Sequence, residues 1–202
     1  MQQEERSERS RSQILDAALK RFAHRGYGAT SVRDIAEEAG LSKGNVYHHF
    51  PDKEAIFRAL LDQYFQAMSL PEFPFNRALA TGTFPENLEE LGRAARDTVR
   101  DYRDYVALIY VDVVEFEGTH IQKFYGGLGQ RYAALFTGGG LQEIRSRLRP
   151  GVSPVSALLM TSRIFFNYFS LEILFNVPQP YGKDSMQIVQ EIADILRHGI
   201  VT

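Results

Sequence analysis

Two short amphipathic segments separated by a glycine stand out in the first part of the chain. Thr30 or Ser31 is placed to cap the first segment, and Gly40 follows its last apolar residue. Ser42 can cap the second segment, which ends before Pro51. In the first segment the apolar residues recur every three or four positions, as on the buried face of a helix: Val32, Ile35, Ala36 and Ala39. This pattern predicts two helices joined by a tight turn.

The second of these predicted helices carries an unusual set of residues off its apolar stripe. They offer hydrogen-bond donors, acceptors and aromatic rings, which suit base edges and phosphate oxygens of DNA. An ordinary helical hairpin with a polar exterior is the alternative interpretation, since short paired helices are common in all-helical proteins. The residues concerned are Lys43, Gly44, Asn45, Tyr47, His48 and His49.

The remainder of the chain also shows mainly helical periodicity. The run 105–116 is rich in valine and fits a strand by pattern alone, but the chain offers no second strand to pair with it. We therefore predict an all-α protein. The other predicted helices cover about 9–25, 52–68, 87–102, 119–136, 141–148, 153–176 and a last helix capped near Asp184.

The last two predicted helices are strongly apolar, and such helices can pair with the same two helices of a second copy. The helix over 153–176 is apolar nearly all round, but Arg163, Asn167 and Glu172 interrupt it, which disfavours a membrane span. Asn167 is also an amide inside an otherwise apolar helix, so we expect it to need a partner: a ligand, a neighbouring helix or a second copy of the chain.

The composition and charge of the chain do not identify a binding partner. The 202 residues include no cysteine, and their formal net charge is −2. The first 53 residues carry 9 Lys and Arg against 8 Asp and Glu, so bulk charge does not indicate nucleic acid. Arg6, Arg9 and Arg11 suggest either an arm along the phosphate backbone or a solvated, frayed terminus. The polar residues 1–13 suggest no export, so we expect a cytoplasmic protein.

One group of acidic residues is a candidate for metal chemistry. Asp112 and Glu115 are three residues apart on one helical face, and His120 is a possible third ligand beyond Gly118. Solvated carboxylates at a helix end are the more ordinary interpretation. The sequence contains no phosphate-binding glycine loop, nucleophile elbow or two-histidine zinc motif. We therefore predict no catalytic site, no metal and no cofactor.

Aromatic residues in the longer C-terminal part predict a small-molecule pocket. Rings that carry one polar end suit an apolar ligand held by a few orienting hydrogen bonds. For any single residue, plain core packing is the stronger alternative. The predicted ligand-binding residues are Tyr64, Tyr102, Tyr110, Phe116, Phe166 and Asn167.

The tract 26–36 and the tract 39–53, which contains Ala39-Gly40-Leu41-Ser42 and Val46-Tyr47-His48-His49-Phe50, resemble the TetR family of bacterial transcriptional regulators. The resemblance implies a helix-turn-helix DNA-binding head over 1–53, with a recognition helix at about 42–50, and a helical effector-binding and dimerisation domain over 54–202. By the resemblance, bases are approached by Arg33, Lys43, Gly44, Asn45 and His48, and phosphates by Thr30, Ser31, Tyr47, His49 and Lys53.

The same resemblance implies a homodimeric repressor that binds a palindromic operator in double-stranded DNA. Its last two helices would form the dimer contact, and a small apolar or aromatic effector would release the DNA. An architectural or interaction protein that binds DNA without effector control is the alternative hypothesis.

Overall fold

The structure is a computed structural model that describes residues 2–81, 83–134 and 140–200. Over these ranges the chain forms helices and no β-strand, so the all-α prediction is confirmed. The helices are α1 (Gln2–Arg25), α2 (Val32–Ala39), α3 (Lys43–His49), α4 (Lys53–Ala67), α5 (Pro74–Leu79), α6 (Leu88–Asp101), α7 (Arg103–Phe116), α8 (Gln122–Ala134), α9 (Gly140–Arg147), α10 (Pro154–Phe169) and α11 (Ser185–Ile200).

Local hydrogen bonds define the helix-turn-helix as the sequence predicts. Ser31 caps α2, since its hydroxyl accepts from the backbone N–H of Asp34 while its own N–H donates to the Asp34 carboxylate. The Ser31 hydroxyl also donates to Asp34 Oδ2 at 2.6 Å, and this bond, together with the one from the Ser31 N–H, holds the pKa of the Asp34 carboxyl below its ordinary value. Gly40 ends α2 in the left-handed region at φ 67°. The hydroxyl of Ser42 then accepts from Asn45 N–H and caps α3.

The apolar faces of α1, α2 and α3 pack together, and α4 adds its own apolar face to the same unit. The side chains that form this core are almost fully excluded from solvent, so their burial stabilises the three-helix arrangement. They include Ile14, Leu15, Ala18, Phe22, Ile35, Ala36, Val46, Ile56, Phe57 and Leu60.

The first helix is longer than predicted. It begins at Gln2 rather than near Arg9, so Arg6, Arg9 and Arg11 lie on a helix and not on a free arm or a frayed end. The sequence did not show this first part of α1, because a segment that is polar on all sides has no apolar periodicity. Glutamates in its first turn nevertheless favour helix formation.

The described chain divides into two compact units. The first unit comprises residues up to Gln66 together with Asp104–Phe124, and the second comprises Ala67–Arg103 and the residues from Tyr125 onward. By packing, α4 and most of α7 therefore belong with the helix-turn-helix. The boundary predicted at Lys53 separates a DNA-binding head from an effector-binding domain, which is a division by function and not by packing. That functional division stays a prediction.

In the second unit α6 packs against α5, α10 and α11. A Cβ atom built on Gly92 of α6 would lie 2.8 Å from both Phe165 Cε1 of α10 and Val189 Cγ1 of α11. The absence of a side chain at this position thus permits close packing of three helices. Arg197 of α11 also donates to both carboxylate oxygens of Glu89 on α6, at 2.8 and 2.9 Å.

The helix predicted over 153–176 is shorter than expected. Ser153 caps α10 as predicted, but the α-helix ends at Phe169 and continues as a π-helical turn, Ser170–Leu174. Asn167 is exposed in the single chain, so its predicted partner stays a prediction. The apolar run hid this exposure because large apolar residues lie on both faces of the helix, for example Phe165 on the buried face and Ile164 on the outer face.

Two smaller differences concern helix boundaries. Asn87 precedes α6 as predicted, but its side chain makes no cap and donates instead to Ala78 O and Thr81 Oγ1. The end predicted for the helix over 119–136 falls in residues 135–139, which lie outside the described ranges. In the part of the chain that is described, no helix combines the length and the apolar character needed to traverse a bilayer.

Gly92→Ala should destabilise the protein by about 1–3 kcal/mol, because the added methyl group overpacks the contact with Phe165 and Val189. Gly127→Ala in α8 is the control, since a Cβ there meets no atom within 4 Å. The control should be neutral or stabilising by up to about 1 kcal/mol through its higher helix propensity. Urea unfolding of the two variants measures both effects, and equal stabilities would contradict the close-packing interpretation.

Candidate nucleic-acid interface

The outward face of α3 carries the residues predicted to contact DNA. Four of them, Lys43, Gly44, Tyr47 and His48, are exposed. Tyr47 is 46% exposed, which is unusual for a large aromatic residue. The ammonium of Lys43 lies 5.6 Å from the centre of the Tyr47 ring. A short capped helix with donors and rings on its open face is therefore available to a groove of DNA.

Asn45 and His49 are only half-buried and lie at the edge of this face. The Oδ1 atom of Asn45 is shielded from solvent and has no hydrogen-bond partner among the described residues. The rings of His48 and His49 contact each other edge to face, with centroids 5.2 Å apart. The predicted site residues of α3 thus form one continuous surface.

A groove beside α3 extends this surface onto the first turns of α1, where the sequence had indicated only Arg6, as part of a possible arm along the phosphate backbone. Because those turns are helical, their polar side chains are held next to the recognition helix instead of trailing in solvent. The residues that line the groove are Gln3, Glu4, Arg6, Ser7, Ser10, Asn45, His48 and His49.

Arg33 and Ser31 lie on the exposed start of α2. The guanidinium of Arg33 donates from Nε to Glu37 Oε1 at 2.8 Å, in an exposed i,i+4 ion pair. Such pairs contribute little to stability, so the Arg33 side chain can exchange Glu37 for another acceptor at low cost. Its assignment to base contact stays a prediction.

Thr30 has a structural role in place of the predicted phosphate contact. Its side chain is 2% exposed, and its hydroxyl donates to the backbone carbonyl of Gly26 at 2.9 Å. A buried hydroxyl that already donates inside the protein cannot reach a phosphate. The sequence could not distinguish Thr30 from Ser31, because both residue types cap helices.

Lys53 is also engaged within the protein. Its ammonium donates to Tyr27 O at 2.7 Å and to Thr30 O at 2.8 Å, and it lies 3.9 Å from the centre of the Tyr27 ring. Burial lowers the pKa of Lys53, while the nearby Glu115 carboxylate raises it. Two of its three N–H donors are therefore used on the turn before α2, a role that sequence reasoning missed.

The possible metal site is not assembled. Asp112 Oδ1 lies 2.5 Å from His120 Nδ1, whereas the Glu115 carboxylate accepts from the backbone N–H groups of Tyr27 and Gly28. The candidate ligands thus point to different partners. Among the described residues, no group of three or more His, Asp and Glu side chains could hold a metal ion.

The predicted effector residues are distributed over both units. Tyr64, Tyr110 and Phe116 belong to the first unit, where Phe116 packs against Tyr27 and Phe57. Tyr102, Phe166 and Asn167 belong to the second unit. The role of all six in effector binding stays a prediction.

The fold and this surface define a helix-turn-helix DNA-binding protein. Residues 14–60 match the family model described as "Bacterial regulatory proteins, tetR family". The resemblance of the DNA-binding head to the TetR family, seen in the sequence, is therefore confirmed. Members of this family are DNA-binding regulators and not enzymes, which agrees with the sequence-based prediction.

Similar proteins support this assignment mainly in the head. The chain is 36% identical over 107 residues to the HTH-type transcriptional repressor KstR2 of Mycolicibacterium smegmatis, covering 50% of this chain and 48% of that protein. It is 34% identical over 102 residues to the HTH-type transcriptional regulator YuxN of Bacillus subtilis, covering 50% of this chain and 30% of that protein. The matches thus span less than half the length of these curated relatives.

Similarity of fold extends further along the chain. The structure of the ketosteroid transcriptional regulator KstR2 of Mycobacterium tuberculosis superimposes with a TM-score of 0.58 at 23% identity, covering 95% of each chain. At that identity the comparison establishes the all-helical fold and leaves the ligand open.

Acid should destabilise the protein in part through His49. Burial lowers the pKa of His49, and the cationic neighbours His48 and Arg11 lower it further, against an opposing effect of Glu8. The unfolded chain then binds the proton more readily, so stability falls as the pH drops below about 6.5. His49→Gln should reduce the loss of Tm between about pH 7.5 and pH 5.5, measured by circular dichroism.

The same loss of Tm in wild type and His49→Gln would contradict the assignment.

Proposed function

We propose that the protein is a homodimeric transcriptional repressor that binds a palindromic DNA operator and is released by a small apolar or aromatic effector. The observation that carries this proposal is the exposed face of α3 on a TetR-type three-helix head. Two heads about 34 Å apart would place their α3 helices in successive major grooves on one side of the duplex.

Within the head, the proposal divides the site residues into two roles. Residues of α3 and of the start of α2 approach base edges, namely Arg33, Lys43, Gly44, Asn45 and His48. Hydroxyl, imidazole and ammonium groups around them hold phosphates, namely Ser31, Tyr47, His49 and the remaining donor of Lys53. Base contacts determine sequence preference and phosphate contacts determine affinity and register.

The outer faces of α10 and α11 support the proposed dimer. Met160 is 61% exposed and Ile164 40% exposed on α10, while Ile195 is 65% exposed on α11. Large apolar side chains at these exposures on two packed helices favour burial against a second copy.

Buried polar groups in the second unit support an effector. Thr161 Oγ1 and Tyr168 OH, both on α10, are buried without a hydrogen-bond partner among the described residues. A polar atom of an otherwise apolar ligand would satisfy such groups. Release of a bound duplex by apolar and aromatic compounds, added one at a time, tests this part of the proposal; retention of the duplex with every compound would count against it.

Selection of bound fragments from a library of random duplexes should yield one preferred palindrome. His48→Ala should change the preferred bases, because its ring is assigned to a base edge. Tyr47→Phe removes only a hydroxyl assigned to phosphate, so it should weaken binding evenly across sequences by about three- to tenfold. Titrations of both variants against the same set of duplexes measure the difference.

Sequence-independent losses in both variants would contradict the division of roles. Binding to many sites without a preferred palindrome would instead favour the alternative of an architectural DNA-binding protein.

Ile195→Arg should shift the protein from dimer to monomer, because it places a charge in the proposed apolar contact. Sedimentation equilibrium measures the change, and we expect the dissociation constant to rise at least about 100-fold. Gln130→Arg, which adds the same charge at an exposed position of α8, should leave the dimer intact. A dimer unaffected by Ile195→Arg would place the interface elsewhere.

A further inference from the structure

A single acidic side chain of α7 holds the turn that leads into α2. The carboxylate of Glu115 accepts from Tyr27 N–H at 2.8 Å and from Gly28 N–H at 2.6 Å. These two contacts join positions 87 and 88 residues apart in the sequence, and both partners belong to the first unit. Short bonds from N–H groups to an ionised carboxylate are among the stronger hydrogen bonds in proteins.

The position of Glu115 is unfavourable by local rules. It is the penultimate residue of α7, where the partial negative charge of the helix end repels a carboxylate, and the last turn of α7 has no basic residue. A residue that conflicts with its own helix is often retained for a tertiary contact. The two N–H donors of the turn supply that contact.

Neighbouring groups hold the same turn from its other sides. Phe116, the next residue of α7, packs its ring against Tyr27 with centroids 4.6 Å apart. Lys53 donates to the carbonyls of Tyr27 and Thr30. The turn is thus bound through its N–H groups by Glu115 and through its carbonyl groups by Lys53.

The glycines of the turn leave the space that this carboxylate needs. A Cβ atom on Gly26 would lie 2.9 Å from Glu115 Oε1, and one on Gly28 would lie 3.0 Å from Glu115 Oε2. Gly26 also has φ +83°, which disfavours any side chain, whereas Gly28 has no such backbone requirement. The close approach to Gly28 therefore reflects the fit of the carboxylate alone.

We propose that Glu115 is a positioning residue for DNA binding: its carboxylate fixes the turn 26–30 and thereby the start of α2 relative to α3. The Thr30 hydroxyl, bound to Gly26 O, and the Ser31 cap transmit this placement directly into α2. The inference rests on the proposed function, and it adds a residue that lies outside the helix-turn-helix.

Charge removal makes the test sharp, because electrostatics and positioning predict opposite results. Glu115→Gln removes a negative charge, which by itself strengthens attraction to DNA. It also replaces one of the two acceptor oxygens with an amide N–H₂, which cannot accept from the N–H donor that it faces. If Glu115 positions the turn, affinity for the selected palindrome should fall about five- to tenfold, while affinity for a random duplex stays equal or rises.

Glu117→Gln is the matched control. Glu117 is an exposed carboxylate two residues away, so its replacement removes the same charge without affecting the Tyr27 and Gly28 amides. Both of its affinities should stay equal or rise slightly. Glu115→Asp tests reach, because it retains the charge but shortens the side chain by one methylene; it should lose specific affinity as Glu115→Gln does.

Gly28→Ala provides a second route if Glu115→Gln folds poorly, since the added methyl group displaces the carboxylate from the turn. By itself, Gly28→Ala should lower affinity for the palindrome and not for a random duplex. Combined with Glu115→Gln it should add little, because both changes break the same contact. Hydrogen exchange of the Tyr27 and Gly28 amides, followed by NMR without DNA, should accelerate in Glu115→Gln and not in Glu117→Gln.

Specific affinity in Glu115→Gln equal to that in Glu117→Gln, or equal losses for palindrome and random duplex, would overturn the inference. Unchanged amide exchange would also overturn it. A wild-type protein that selects no duplex would instead refute the proposed function itself, and the variants distinguish the two failures.

Discussion

The turn between α1 and α2 is held between a carboxylate and an ammonium, and the DNA-binding head depends on this arrangement. Glu115 binds two of its N–H groups and Lys53 binds two of its carbonyls. An irregular turn has few backbone partners of its own, so without these side chains its polar groups would rely on water. The Tyr27 ring, which packs against Phe57 and Phe116, anchors the same turn in the core.

This arrangement matters more because the head has little net charge. The first 53 residues carry 9 basic and 8 acidic side chains, so general attraction to phosphates is weak. Affinity must then come from a few donors placed accurately against one sequence. A head of this kind tolerates small displacements of its recognition helix poorly, which gives the contacts that position α2 and α3 a direct influence on binding.

The second unit follows different constraints. At Gly92 three helices approach so closely that a methyl group has no space, whereas Met160 and Ile195 are left exposed on the outer faces of α10 and α11. Close packing inside and apolar surface outside are compatible with a unit that is completed by a second copy. The hydroxyls of Thr161 and Tyr168, which have no partner within the described ranges, add a separate requirement, which a ligand would meet.

Sequence alone determined the features that depend on near neighbours along the chain. Ser31, Gly40 and Ser42 define the ends of α2 and α3 because capping and left-handed termini involve residues within about four positions. The apolar periodicity of the helices and the similarity of the head to the TetR family followed from the same local information.

Tertiary structure decided what individual polar side chains do. Thr30 is buried, and the Lys53 ammonium faces two carbonyls. The Glu115 carboxylate contacts the turn before α2 and does not join Asp112 in a metal site. The partners of Lys53 and Glu115 lie between 23 and 88 residues away in the sequence, and their positions are fixed only when the helices pack. From the sequence alone, a charged or hydroxyl-bearing side chain can contact solvent, DNA or another part of the protein. Only the packing of the helices determines which of these it contacts.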